Sequence, residues 1–189
     1  MGAARTPLEP PTPEQAAFLE RAMEQYGRAA YTYAYRLTGN QADASDLAQE
    51  AFLRVYRAWR SFSPGTSFIA WIYRILTNLH RDELRRRKGR YVEELPQDNS
   101  PQDFTASRMQ AGTPADDYVE RQLSEPLSRS LARLSLEQRQ AVVLADIEEY
   151  SYQEIAEIMG CSIGTVRSRL HRARAVLKRL LELEKQPQS

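Results

Sequence analysis

The chain has 189 residues, with 26 Lys plus Arg against 25 Asp plus Glu and a formal net charge of +1. Its content of 42% hydrophobic and 27% charged residues excludes a wholly disordered or collagen-like chain, and the length suits one domain or two small ones. Cys161 with only two histidines provides neither a disulfide framework nor a tetrahedral zinc site, so no metal and no cofactor is predicted. No apolar run approaches the roughly 18 residues that span a bilayer, and we expect a cytoplasmic protein.

The near-neutral total hides three unlike segments. Residues 1–90 hold 14 basic and 9 acidic residues (+5), residues 91–125 hold 2 and 8 (−6), and residues 126–189 hold 10 and 8 (+2). Two basic stretches are therefore separated by an acidic one. This pattern keeps a nucleic-acid partner open despite the overall balance.

Prolines divide the chain into domains and connecting segments. Four prolines within residues 1–13 predict a disordered lead-in, and three prolines with the turn-prone run 97–100 predict a flexible acidic linker over residues 91–117. Two domains remain, at residues 14–90 and 118–185.

Both domains are predicted to be helical, because apolar residues recur at spacings of three and four and no stretch alternates at two. Residues 43–59 carry one such stripe, and Ser67 can cap a long helix that ends near Gly89. Residues 135–138 and 151–154 each match a capping box. The predicted fold class is all-α, with two small helical domains joined by the acidic linker.

A helix-turn-helix is the strongest motif. Residues 152–159 form a short amphipathic helix, residues 160–162 a turn in which Gly160 suits a left-handed backbone, and a second helix begins near Ile163. The buried stripe of that second helix leaves an outward basic face, which would enter the major groove of DNA. Ser162 and Thr165 would suit phosphate contacts.

Simpler interpretations of this motif stay open. The segment can be an ordinary αα-corner with a solvated basic face, and His171 can face DNA or solvent rather than bind a metal. Cys161 is expected to be a small turn residue rather than a redox sensor.

The helix that begins at Ser67 has a second stripe, in which Trp71, Arg74 and Asn78 are followed by further arginines. Stacking surface, cations and an amide suit unpaired nucleic acid, and the preceding loop from Phe62 can form a pocket for an extruded base. The alternative is that the aromatic rings are core and the arginines a solvated face. On the helix over 43–59, an acidic and polar patch has no specific meaning by itself.

Three segments resemble, in their order along the chain and their spacing, bacterial RNA polymerase sigma factors of the extracytoplasmic function (ECF) group: residues 43–52, 67–75 and 164–174. The resemblance implies a region 2-like domain at 14–90, a region 4-like domain at 118–185 and a short acidic segment where larger sigma factors carry region 3. It implies as partners the clamp helices and flap of core RNA polymerase, promoter DNA in duplex and melted non-template form, and an anti-sigma factor, and no membrane insertion.

Roles for individual residues follow from the resemblance. Contacts to the −35 element are expected from Ser162, Thr165, Arg167, Ser168, Arg169, His171, Arg172 and Arg174. Contacts to the −10 element are expected from Phe62, Gly65, Ser67, Phe68, Trp71, Arg74, Asn78, Arg81 and Arg85. The polymerase would be bound by Asp46, Gln49, Glu50 and Arg54.

The expected function is an alternative, non-enzymatic sigma factor that recognises both promoter elements and promotes melting, in a stress response under anti-sigma control. The main alternative is a helix-turn-helix regulator that binds duplex DNA without polymerase. A nucleic-acid-modifying enzyme is disfavoured, because no nucleophile with a base and no phosphate-binding glycine loop is evident.

Overall fold

The computed structural model of the chain describes residues 12–59, 62, 67–89 and 123–185. Every regular element within these ranges is helical, which confirms the predicted all-α class. The acidic linker and all but the last two residues of the lead-in lie outside the described residues.

Three helices form the N-terminal bundle: α1 (Pro13–Thr38), α2 (Gln41–Ala58) and α3 (Phe68–Gly89). Pro13, which was expected to end the lead-in, instead begins α1, because proline is tolerated in the first turn of a helix. The side chain of Thr12 and that of Gln15 complete a capping box there. At the other end, Gly39 takes a φ of 80°, which turns the chain towards α2.

The C-terminal bundle contains α4 (Glu125–Ala132), α5 (Leu136–Val142), a π-helical turn (Val143–Ile147), α6 (Tyr152–Met159) and α7 (Ile163–Lys185). Both predicted capping boxes are confirmed, at the starts of α5 and α6. The π-helical turn that extends α5 was not predicted, because nothing in a hydrophobic period of three or four distinguishes it.

The core of each bundle follows the predicted apolar stripes. On α2, Leu47, Ala51 and Val55 are buried, and on α7 the buried side chains are Val166, Leu170, Ala173 and Leu177. The two bundles also pack against each other, with α3 on α6 and the end of α1 on α4 and α5. One continuous hydrophobic cluster therefore runs through both bundles.

Candidate nucleic-acid interface

The turn before α7 is built from local hydrogen bonds. Gly160 ends α6 with a φ of 62°, and the Oγ of Ser162 accepts from the backbone N–H of Thr165 at 3.1 Å. A hydroxyl–hydroxyl hydrogen bond of 2.9 Å also joins Ser162 and Thr165, and the Ser168 hydroxyl donates to the Thr165 carbonyl at 2.9 Å. The hydroxyls predicted to contact phosphate thus also shape the start of α7.

The outward face of α7 is cationic and exposed along its first half. The side chains of Arg167, Ser168, His171 and Arg172 are all exposed. A groove of about 350 Å³ runs beside them, where α7 meets the start of α6 at Tyr152. A face of this shape and charge is suited to a phosphate-lined groove of duplex DNA.

Two arginines of the predicted set are engaged in contacts with other side chains of the chain. The guanidinium of Arg169 is half-buried and donates to the Cys161 sulfur at 3.4 Å. Arg174 binds the Asp146 carboxylate with two nitrogens, at 3.1 and 2.6 Å. The hydrogen bonds to Asp146 and then to Tyr152 raise the pKa of Arg174, so its charge is already matched by Asp146 before any DNA binds.

Cys161 has the environment expected of a structural turn residue. Burial raises the pKa of its thiol, although the Arg169 guanidinium opposes that effect. A raised pKa disfavours the thiolate, which is the reactive form of cysteine.

The aromatic part of the predicted −10 surface belongs to a packed cluster. Trp71 is only 8% exposed, and its ring lies 5.3 Å from Phe62 and 5.7 Å from Phe68 between centroids. Phe18 lies 6.1 Å from Phe62. Ser67 is buried and caps α3 by accepting from the Ala70 N–H at 3.4 Å. Gly65 lies outside the described residues.

The polar part of that stripe is half-buried and internally paired. Burial lowers the pKa of Arg74, while Glu157 of α6 opposes the shift. The side-chain carbonyl of Asn78 accepts from Arg81 at 2.7 Å, and of the four polar residues on this stripe only Arg85 is exposed. In this conformation α6 packs on α3, and the stripe is not an open surface.

The patch on α2 is accessible. Asp46, Gln49 and Arg54 are exposed and Glu50 is half-buried. Glu50 and Arg54 are 3.7 Å apart, and Gln49 donates to the Ser45 hydroxyl at 3.3 Å. Exposed pairs of this kind contribute little stability, so the patch is free to exchange them for partner contacts.

Four residues at long-range contacts were missed by the sequence analysis. Asp146 pairs with Arg174, Glu148 pairs with Arg36, and Arg139 contacts the end of α1. Their partners lie 28, 112 and 102 residues away in sequence, and no local spacing signals them.

Within the described part of the chain, no group of three or more His, Cys, Asp or Glu side chains is placed to hold a metal ion. None of the helices in that part has an apolar stretch of the length that a membrane span needs.

Two helical bundles, one of which presents a cationic helix-turn-helix, define a DNA-binding protein of two domains. Comparisons with known proteins refine this class. Residues 22–90 match the family model of sigma-70 region 2, and residues 124–177 match that of sigma-70 region 4.

Relatives match across both bundles. The chain is 35% identical to the ECF RNA polymerase sigma factor SigW of Bacillus subtilis over 89% of this chain and 90% of that protein. It is 42% identical to the ECF RNA polymerase sigma factor SigE of Mycolicibacterium smegmatis over 88% of this chain, but spans only 63% of that relative's length.

Solved structures agree. The sigma factor RpoE of Bartonella quintana, crystallised with the anti-sigma factor NepR, superposes with a TM-score of 0.65 at 25% identity, over 89% of this chain and 99% of that one. CnrH, solved with the cytosolic domain of CnrY, shares the fold, with a TM-score of 0.60 at 23% identity over 90% of this chain and 91% of that one.

The chain belongs to the ECF RNA polymerase sigma factors, with sigma-70 regions 2 and 4. The family resemblance seen in the sequence is thereby confirmed. The protein is a non-enzymatic transcription initiation factor.

Proposed function

We propose that α7 reads the −35 element in duplex DNA, and that α3 with the loop before it binds the melted −10 strand. The observation that carries the first part is the exposed cationic face of α7, on which Arg167 and Arg172 are free to reach base edges. Arginine binds guanine O6 and N7 with two hydrogen bonds, which gives sequence discrimination. Arg169 and Arg174, which were also expected to contact the −35 element, bind Cys161 and Asp146 instead. We propose that these two arginines stabilise the face rather than read bases.

The role of α3 is supported by composition and by the family match to region 2, which covers the whole helix. Arg74, Asn78, Arg81 and Arg85 supply charge and hydrogen bonds along one side. Phe62 and Phe68 flank in sequence the segment that would receive a base. Binding an extruded base offsets the cost of unstacking it, a few kcal/mol. Melting would therefore need no ATP.

The α2 patch of Asp46, Gln49, Glu50 and Arg54 would bind the clamp helices of core RNA polymerase, and the C-terminal bundle its flap. An anti-sigma partner is supported by the related structure of RpoE with NepR. Because polymerase and promoter DNA are the partners, the proposed place of action is the cytoplasm, and the proposed setting is a stress response.

The direct experiment is transcription in vitro with core RNA polymerase on a library of genomic promoters. Arg172→Ala should weaken discrimination at one −35 base pair by about 1–3 kcal/mol. The matched control is Arg179→Ala, an exposed arginine two turns further along α7 that lies outside the proposed site. Equal effects of the two substitutions would refute the assignment of Arg172.

The same experiment separates the alternative function. A helix-turn-helix regulator that acts alone would bind one duplex sequence tightly without polymerase. A sigma factor initiates at specific promoters only when core polymerase is added, and a chain that supports no initiation at any promoter would refute the proposal.

A further inference from the structure

Three side chains join the two bundles through a buried polar contact. Arg36 near the end of α1 forms an ion pair with Glu148, and these side chains are only 7% and 1% exposed. The hydroxyl of Tyr73 on α3 donates to the other carboxylate oxygen of Glu148 at 3.0 Å. One carboxylate from the C-terminal bundle is thus held by two helices of the N-terminal bundle.

The backbone presents Glu148 in a fixed position. Its N–H donates to the Val143 carbonyl at 2.9 Å at the end of the π-helical turn, and Glu149 then takes a left-handed φ of 59°. The N–H of Tyr150 closes this bend on Leu144 at 2.9 Å. The bend also brings the Tyr150 ring against the edge of Tyr73, 6.1 Å between centroids.

Arg139 makes a second junction, at the ends of two helices. Its Nε and Nη2 donate to the carbonyls of Leu131 and Ala132 in α4, at 2.9 and 2.7 Å. Its Nη1 donates across the interface to the carbonyl of Leu37 in the last turn of α1. Helix C-termini have unpaired carbonyls and negative partial charge, so one guanidinium caps both.

These contacts hold α6 against α3, on the stripe proposed to bind the melted strand. Arg74 of that stripe is half-buried with Glu157 of α6 nearby. By contrast, the polymerase patch on α2 and the outer face of α7 stay exposed. The closed arrangement covers the proposed DNA surface on α3 and leaves accessible the DNA surface on α7 and most of the polymerase patch on α2.

Beside the hydrophobic cluster that runs through both bundles, the covered interface contains polar atoms whose exposure to water favours separation. Among the described residues, the buried atoms Nε of Arg81 and Oε2 of Glu157 have no hydrogen-bond partner. Buried polar atoms without partners cost free energy, which hydration returns when the surfaces part. An interface of this kind closes a surface without sealing it permanently.

We propose that Arg36, Tyr73 and Glu148 form an interdomain latch that keeps the free chain closed over the α3 stripe. Opening the latch is required before α3 can bind single-stranded DNA. This last step rests on the proposed function of α3, whereas the latch itself does not. The apparent affinity of α3 for DNA is then reduced by the fraction of chain that is open.

The test measures the distance between the bundles in the full chain without polymerase. Spin labels at Leu53→Cys on α2 and Val176→Cys on α7, both exposed at 40% and 38%, in a Cys161→Ser background, allow double electron–electron resonance. The chain with the latch intact should give one dominant distance, that of the closed arrangement. Arg36→Gln or Glu148→Gln removes the ion pair and leaves its other charge buried in the closed chain, and should raise the open-to-closed ratio by about tenfold or more.

Controls keep the test decisive. Glu182→Gln removes a carboxylate from an exposed pair in the same bundle and should leave the distances unchanged. Tyr73→Phe keeps the ring stacked on Tyr33, 4.2 Å between centroids, and removes only the donor, so it should open the chain less. If the substituted latch variants keep native circular dichroism and wild-type distances, or if the unsubstituted chain is already mostly open, the latch is wrong.

A second measurement separates the latch from the role of α3. A fluorescein-labelled pool of random single-stranded DNA, about 20 nucleotides long, should bind Glu148→Gln up to about tenfold more tightly than the unsubstituted chain. If Glu148→Gln lengthens the distance between the spin labels but leaves the DNA affinity unchanged, the latch is supported and the proposed role of α3 is refuted.

Discussion

The two candidate DNA surfaces of this molecule differ in how they are prepared. On α7, the side chains proposed to read duplex DNA are exposed, and the turn that orients them is closed by hydrogen bonds between neighbours such as Ser162 and Thr165. On α3, the stripe proposed to bind single strands is half-buried under α6, and Trp71 is packed among other rings. A duplex reader can be preformed because its ligand always exists, whereas a single-strand reader is useful only once DNA has melted.

The largest expected effect concerns the two cores that hold these surfaces. Leu170 of α7 and Leu76 of α3 are 1% and 0% exposed, so truncating either to alanine should cost about 2–5 kcal/mol of unfolding free energy. Leu170→Ala should weaken the C-terminal bundle first and Leu76→Ala the N-terminal one. Hydrogen exchange measured peptide by peptide would resolve the two. Equal loss of protection in both bundles from either substitution would show that the bundles unfold as one unit.

Removing one amide should separate melting from duplex binding. Asn78→Ala on α3 deletes the carbonyl that accepts from Arg81 and a proposed contact to the melted strand. Loss of such a hydrogen bond should make the free energy of open-complex formation less favourable by about 1–2 kcal/mol. The fraction of open complex is measured by permanganate reactivity of promoter thymines. Binding to a duplex −35 probe should not change. Gln25→Ala, an exposed amide on α1, is the control, and an equal defect there would remove the specific role of Asn78.

A smaller effect is expected from releasing Arg174 on the duplex-reading helix. Asp146→Asn keeps the shape of the side chain but removes the carboxylate that binds Arg174 at 2.6 and 3.1 Å. The freed arginine adds about one phosphate contact, which should steepen the logarithmic salt dependence of non-specific duplex binding by about 0.9. Fluorescence anisotropy over a salt series measures this slope. Glu125→Gln on α4 makes the same change in net charge, and a matching change in slope would attribute the effect to net charge alone.

How far the sequence predicted each surface follows from where the determining contacts lie. The helix-turn-helix was predicted down to its turn, because its caps, its glycine and its buried stripe all lie within a few residues of one another. The packing of α6 over α3 was not predicted, because it depends on a contact between Arg36 and Glu148, which are 112 residues apart in sequence. Spacing placed Trp71 on a polar stripe, but the ring packs inward since Phe62 and Phe68 offer it apolar surface. Periodicity identifies a face of a helix and cannot say which other element covers it.

The smallest expected effect is a dependence of stability on pH, through His80 on α3. Burial lowers the pKa of His80 on α3. The positive charges of Arg139 and Arg87 lower this pKa further, while the carboxylates of Glu83 and Asp43 oppose the shift. The Nδ1 atom of His80 has no hydrogen-bond partner among the described residues. The folded state therefore binds the proton less readily than the unfolded chain, whose histidine has a pKa of about 6.5. Above about pH 6.5, His80 is neutral in both states and does not make stability depend on pH. As pH falls below about 6.5, the unfolded chain binds the proton first, so stability declines until the pH reaches the folded-state pKa. Thermal unfolding at a series of pH values should show this decline in the unsubstituted chain, and His80→Leu should flatten it in this window. A decline that persists unchanged in His80→Leu would assign the pH dependence to other groups.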